Sequence, residues 1–227
     1  ALMVNSGSSA NLLALFSTIN PKNKKRLYQD DECLIPALCW STSLWPIVQS
    51  GLKPKFVDVD LNTFNFDLKK LEEKINKRTK AIMAVHVLGN SSNMSELMRI
   101  VKKYNLTLIE DTCESLGSIY KNKYLGTFGK YGCISFHRTK NIHADYGGLL
   151  ILNDDTYFDQ AKYIYERGTD RADVIAGSKN KYQWVEKGSS YQISELSSAL
   201  LLSQLESKDK IKQIRKEIYN QYLSQLK

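Results

Sequence analysis

The chain has 227 residues, 42% of them hydrophobic and 25% charged, the balance of an ordinary globular protein with room for one large core. Its formal net charge of +8 invites a nucleic-acid reading. However, the lysines of Lys22–Lys25, Lys69–Lys80 and Lys208–Lys216 are mostly interspersed with acids, as on solvated helix faces, and no basic stripe interleaved with aromatics accompanies them. No apolar run approaches the roughly 20 residues of a membrane helix, and neither a basic flank nor a long apolar stretch marks a signal peptide at the start. The chain lacks an initiator Met and opens as if inside a fold, so it is expected to be part of a longer polypeptide.

Strand-length apolar runs alternate with amphipathic segments. In chain order the pattern predicts a helix over Asn11–Ile19, a strand over Glu32–Pro36, a helix over Ser43–Ser50 and a strand over Lys55–Val59. A helix over Asp67–Ile75 follows its Asp cap, then a strand over Ala81–Val87, a helix over Ser95–Tyr104 and a strand over Leu106–Glu110. Two further strands, Gly132–Phe136 and Gly148–Leu152, precede a helix over Asp154–Arg167. Gly168–Gly188 reads as a long loop, and Ser190–Leu205 and Lys208–Leu226 as two closing helices. This β-α-β order predicts an α/β fold of three layers, α/β/α, around an open, mostly parallel sheet. Such sheets take ligands at the carboxyl ends of their strands.

Four constellations fall on that edge. Asn5-Ser6-Gly7-Ser8-Ser9-Ala10-Asn11 joins small residues and hydroxyls to a helix start, which suits an anion. The common alternative is a plain Ser-capped helix. Trp40 follows a strand and could cover a planar ligand, although a Trp there is more often core. Asp111 closes Leu108-Ile109-Glu110, and a buried carboxylate needs a cation or hydrogen-bond donors, whether an arginine or a protonated ring nitrogen. Lys140, in Ser135-Phe136-His137-Arg138-Thr139-Lys140-Asn141, lies just past a strand, where a lysine can serve Schiff-base chemistry or simply snorkel. Together they meet the needs of pyridoxal 5'-phosphate (PLP): phosphate cradle, ring cover, ring-nitrogen partner and amine. Cys33, Cys39, Cys113 and Cys133 form no CxxC pair and read as reduced thiols of a cytoplasmic protein. His86, His137 and His143 have no metal-ligand spacing, so no metal site is expected.

The ordered stretches Asn5–Ala10, Gly51–Asp60, Arg78–His86, Ile109–Asp111, Gly126–Gly129, Ser135–Asn141 and Gly188–Leu196 resemble the DegT/DnrJ/EryC1/StrS sugar aminotransferases, with the aspartate-aminotransferase-like type I PLP fold. Lys181-Tyr182-Gln183-Trp184, Gly188–Tyr191 and Arg167–Arg171 look most like transaminases acting on dTDP-4-keto-6-deoxyglucose. Val4–Leu15 instead resembles a sister group of PLP-dependent sugar 3-dehydratases, which carry histidine where this chain has Lys140. The resemblance implies that Lys140 forms the Schiff base and then moves the proton, Asp111 pairs with the pyridinium nitrogen and Trp40 stacks on the ring. It implies that Gly7, Ser8 and Ser135 hold the phosphate.

Three positions depart from the family pattern. Glu114 stands where Gln is usual, near the cofactor's phenolic oxygen. Ser190 stands for an Asn that reaches the partner subunit's phosphate. Asp145-Tyr146-Gly147-Gly148 replaces an acidic-Gly-Gly ending. The implied activity is amino transfer from an amino acid, glutamate by family habit, to a nucleotide-linked keto-deoxysugar in polysaccharide or lipopolysaccharide biosynthesis. A homodimer with shared active sites is also implied, with no nucleic-acid or membrane partner. The alternatives are a 3-dehydratase and a catalytically idle homologue. The domain expectation is a PLP-binding large domain over 1–205, lacking its amino-terminal part. Residues 206–227 would begin a linker helix toward a small carboxyl-terminal domain.

Overall fold

The computed structural model of the chain describes residues 1–226. Nine strands run in order: β1 (Leu2–Val4), β2 (Glu32–Pro36), β3 (Lys53–Val57), β4 (Thr79–Val85), β5 (Thr107–Asp111), β6 (Ile119–Tyr120), β7 (Lys123–Tyr124), β8 (Tyr131–Ser135) and β9 (Gly148–Leu152). Eight α-helices accompany them: α1 (Gly7–Ile19), α2 (Ser41–Gln49), α3 (Leu68–Lys74), α4 (Met94–Lys103), α5 (Phe158–Tyr165), α6 (Arg171–Ile175), α7 (Glu195–Glu206) and α8 (Lys208–Gln225). Seven strands form one sheet in the order β1-β9-β8-β5-β4-β2-β3, and β6-β7 is a separate hairpin. From β8 through β5, β4 and β2 to β3 every pairing is parallel, while β9 and β1 close the other edge antiparallel.

Side chains alternate across this sheet, and both faces are covered. Cys33 and Ile35 of β2, Ala81 and Met83 of β4 and Ile109 of β5 pack with Leu13 and Ala14 of α1 on one face. Their neighbours Leu34, Ile82, Ala84 and Leu108 pack with Leu71 of α3 and Leu97 and Ile100 of α4 on the other. Beyond them, Ile134 and Phe136 meet Leu201 of α7. That produces the three-layer α/β/α architecture and explains the near-continuous apolar strands, which a doubly covered parallel sheet requires.

Helix starts follow their caps. Ser6 is extended and its Oγ accepts the Ser9 N–H (3.1 Å), so α1 begins at Gly7, four residues before its apolar pattern suggests. Asp67 caps α3 by accepting from Lys69 and Lys70 N–H, and Asn93 caps α4.

The structure also departs from expectation. β1 and the β6-β7 hairpin carry no readable strand pattern. Ser190 to Ser194 is not helical: Ser190 and Gln192 bridge to Glu166 and Val4, and α7 starts at Glu195 behind its Ser194 cap. The expected loop after Gly168 contains α6, pinned because Lys179 bridges Asp170 (2.6 Å) and Asp173 (3.5 Å). The boundary expected at 205/206 falls close to the α7–α8 junction at Ser207, and no α8 residue is fully buried among those described. Lys227 lies outside the described residues.

Candidate active site

The carboxyl ends of β2, β4, β5 and β8 open onto one cavity of about 650 Å³, a size suited to a small molecule. Gly7, Ser8, Trp40, Asp111, Glu114, Ser135 and Lys140 all line it. Ser190 does not. Its Oγ accepts from Arg167 Nη2 (3.3 Å), and its carbonyl accepts from Asn5 Nδ2 (3.2 Å).

At one end the first turn of α1 meets β8. A Cβ on Gly7 would lie 2.7 Å from Ser135 Cβ and 2.8 Å from Cys113 Sγ, so only glycine permits this approach. Gly148 is similarly crowded: a Cβ there would sit 2.5 Å from the Ser6 carbonyl. Two glycines thus bring the amino end of α1 against β8 and β9. The unpaired N–H groups of that turn and the hydroxyls of Ser8 and Ser135 form an anion cradle.

Asp111, the last residue of β5, is 5% exposed. Its Oδ2 accepts hydrogen bonds from Ser43 Oγ (2.6 Å) and Asn11 Nδ2 (2.8 Å), and its Oδ1 accepts the Cys113 N–H (3.1 Å). No Lys or Arg among the described residues forms an ion pair with it. Burial and the adjacent Asp111 charge push the Cys113 and Cys39 thiols above their ordinary range, so both are held as neutral thiols. Asn11 and Ser43, which hold Asp111, were not among the site residues expected from the sequence. Asn11 lies one turn past Gly7 on the same face of α1, and Ser43 lies in the first turn of α2. Those positions were the available signal.

Trp40 precedes α2 at the cavity lip, 74% exposed, with no side-chain capping bond. Lys140 lies on the loop joining β8 to β9. Backbone bonds from Phe136 to Gly147 and from Arg138 to Asp145 (both 2.8 Å) tie that loop at its base. Lys140 Nζ stands 4.0 Å from Glu114 Oε1, and Glu114 Oε2 accepts the Leu88 N–H (2.8 Å). Among the described residues, no group of three or more His, Cys, Asp or Glu is placed to hold a metal ion, and no helix is long and apolar enough to cross a membrane.

Fold and site together define an α/β protein whose mostly parallel sheet carries, at the carboxyl ends of its strands, one cavity lined by both a lysine and a buried aspartate. The model of the DegT/DnrJ/EryC1/StrS aminotransferase family matches residues 1–227, and the chain belongs to that family, which is PLP-dependent. It is 35% identical to the GDP-4-keto-6-deoxy-D-mannose 3-dehydratase of Escherichia coli O55:H7, covering 100% of this chain and 61% of the relative. It is 33% identical to the GDP-perosamine synthase of Escherichia coli O157:H7, covering 87% and 52%. Among solved structures, the E. coli dehydratase with bound hydrated PLP superposes with a TM-score of 0.88 at 33% identity, covering 98% of this chain and 60% of that one. The chain therefore spans about three fifths of the length of these dehydratases.

Proposed function

We propose that the chain carries the cofactor-binding part of an aminotransferase that moves an amino group from an amino acid, glutamate in the first instance, to a nucleotide-linked keto-deoxysugar. The observation that carries this reading is the presence, in one cavity, of Lys140 and of a buried Asp111 that is held by three neutral donors and has no cation partner among the described residues. A carboxylate in that state fits a protonated ring nitrogen, and the cradle at Gly7, Ser8 and Ser135 fits a phosphate. Bound there, PLP supplies an electrophilic carbon and an electron-withdrawing ring.

In this reading Asp111 keeps the proton on the ring nitrogen, while Asn11 and Ser43 hold the carboxylate in place. Trp40 covers the ring. The Lys140 Nζ would hold the cofactor and would serve as the general acid and base that moves the proton. Glu114 is the anion nearest that amine. Lysine at 140, where the resemblance puts histidine in the dehydratases, supports amino transfer. The 35% identity to the O55:H7 enzyme supports 3-dehydration as the second reading.

A shared homodimeric site, with Ser190 turned toward the partner subunit, belongs to the same proposal, as does a cytoplasmic location. So does the division into a cofactor-binding unit over 1–205 and the start of a linking helix from 206. The exposure of α8 supports that division.

Borohydride reduction of the protein with PLP, followed by peptide mapping, is expected to label Lys140. Labelling elsewhere, or none, sinks the site. In a separate, unreduced sample, added glutamate is expected to convert the bound cofactor to its pyridoxamine form, seen by its spectrum. A Lys140-bound cofactor that no amino acid converts would favour the idle homologue or the dehydratase over amino transfer, and the product formed from the keto-sugar separates amino transfer from 3-dehydration.

A further inference from the structure

Tyr146 lines the same cavity as Lys140 and has no part in the chemistry described so far. Its backbone turns sharply. Asp145 before it has φ 62°, and the Tyr146 N–H bonds the Ala144 carbonyl two residues back (2.8 Å). This turn places the ring between two neighbours. His137 meets it edge-on, with centroids 5.3 Å apart and planes at 75°. The Arg138 guanidinium lies over the ring, 5.0 Å from its centroid. Arg138 is itself fixed by Asp145, through Nε to Oδ1 at 3.1 Å and through the backbone. The residue nevertheless remains 51% exposed. A ring with a cation over it, still half open, presents surface to the cavity without being part of any core cluster.

We propose that Tyr146 is a specificity-determining residue: its ring is the platform against which the hexose ring of the nucleotide-linked substrate packs. The inference rests on the proposed function for the identity of that substrate. The choice of the sugar over the nucleobase follows from position. The keto-sugar is the part of the substrate that must come within reach of Lys140, and Tyr146 lines the cavity that Lys140 also lines. A deoxyhexose presents C–H groups on its ring face, which suit the flat apolar body of tyrosine, while the phenol tip can meet a hydroxyl. The Arg138–Asp145 pair holds the platform rigid, so little ordering cost falls on binding.

The test compares Tyr146→Ala, Tyr146→Leu and Tyr146→Phe in the PLP-loaded protein, using GDP-4-keto-6-deoxymannose and dTDP-4-keto-6-deoxyglucose as probes. Calorimetry of sugar binding, PLP retention and the glutamate-induced spectral change are followed separately. Weakening of sugar binding by about 10-fold is expected for Tyr146→Ala and Tyr146→Leu, and by no more than about 2-fold for Tyr146→Phe. PLP retention and the glutamate response are expected to stay at the wild-type level. Wild-type sugar affinity in the Leu variant overturns the proposal, as does parallel loss of PLP in all three. A wild-type protein that ignores glutamate but binds either sugar refutes the aminotransferase reading alone, because the calorimetric comparison still decides the role of Tyr146. A protein that binds neither sugar overturns both.

Discussion

The decisive residue is Asp111, because its environment fixes what it can pair with. Two side chains and one backbone N–H hold it (2.6–3.1 Å), and hydrogen bonds to an ionised acceptor are stronger than neutral ones. Ser43→Ala removes the shortest of them. We expect it to lower unfolding free energy by about 1–3 kcal/mol, read by urea denaturation, and to weaken PLP retention in the same preparation. Gly7→Ala acts differently, since the added methyl would lie 2.7 Å from Ser135 Cβ and 2.8 Å from Cys113 Sγ. Overpacking of this kind costs about 1–3 kcal/mol, and PLP titration is expected to show a clear loss of affinity even where the fold survives. That Lys140, Asp111, Gly7 and Ser135 share one cavity was legible in the sequence because Asp111 and Ser135 end strands, Gly7 starts a helix and Lys140 lies on the loop that follows a strand. Asn11 and Ser43 were not. They come from different helices and converge on Asp111 only through packing, which no local pattern encodes.

At the scale of elements, the loop between β7 and β8 is organised by one buried carboxylate. Glu110 accepts the N–H groups of Gly126 (2.9 Å), Phe128 (2.7 Å) and Gly129 (2.7 Å), and His86 Nε2 lies 3.4 Å away. Glu110→Ala would leave these buried donors without a partner. We expect a loss of at least about 3 kcal/mol, with hydrogen exchange at Gly126 and Gly129 rising before global unfolding. The strands β2 and β9 have the limits their apolar runs predict. β1 was missed because three residues carry no periodicity, and its place depends on pairing with a strand distant in sequence. α6 was missed because a single lysine, Lys179, pairs with the carboxylates of Asp170 and Asp173, and that pairing is tertiary.

For the whole molecule, acid stability is partly written at the amino-terminal edge of the sheet, opposite the cavity. Glu32 is buried there. Burial alone would raise its carboxyl, but the hydrogen bond from Asn76 and the charges of Lys55 and Arg78 outweigh that and hold it below the ordinary 4.5. A depressed carboxyl stabilises the fold fully above its unfolded value and ceases to do so as pH falls through the folded one. Thermal stability is therefore expected to fall as pH drops from about 5 into the acid range, and Glu32→Gln to flatten that dependence while lowering stability near pH 7. An unchanged slope would show that other carboxylates dominate.

The pairing of β1 with β9 has a consequence for the order in which the protein comes together. Leu2 sits opposite Leu150 and Val4 opposite Gly148, and the anion cradle begins a few residues later, at Gly7. Contacts that span nearly 150 residues of chain are slow to form. Val4 and Gly7, made well before β8 and β9, must wait for those strands before the cradle can exist. During synthesis, cofactor capture therefore belongs to the end of folding, and its appearance marks a finished sheet.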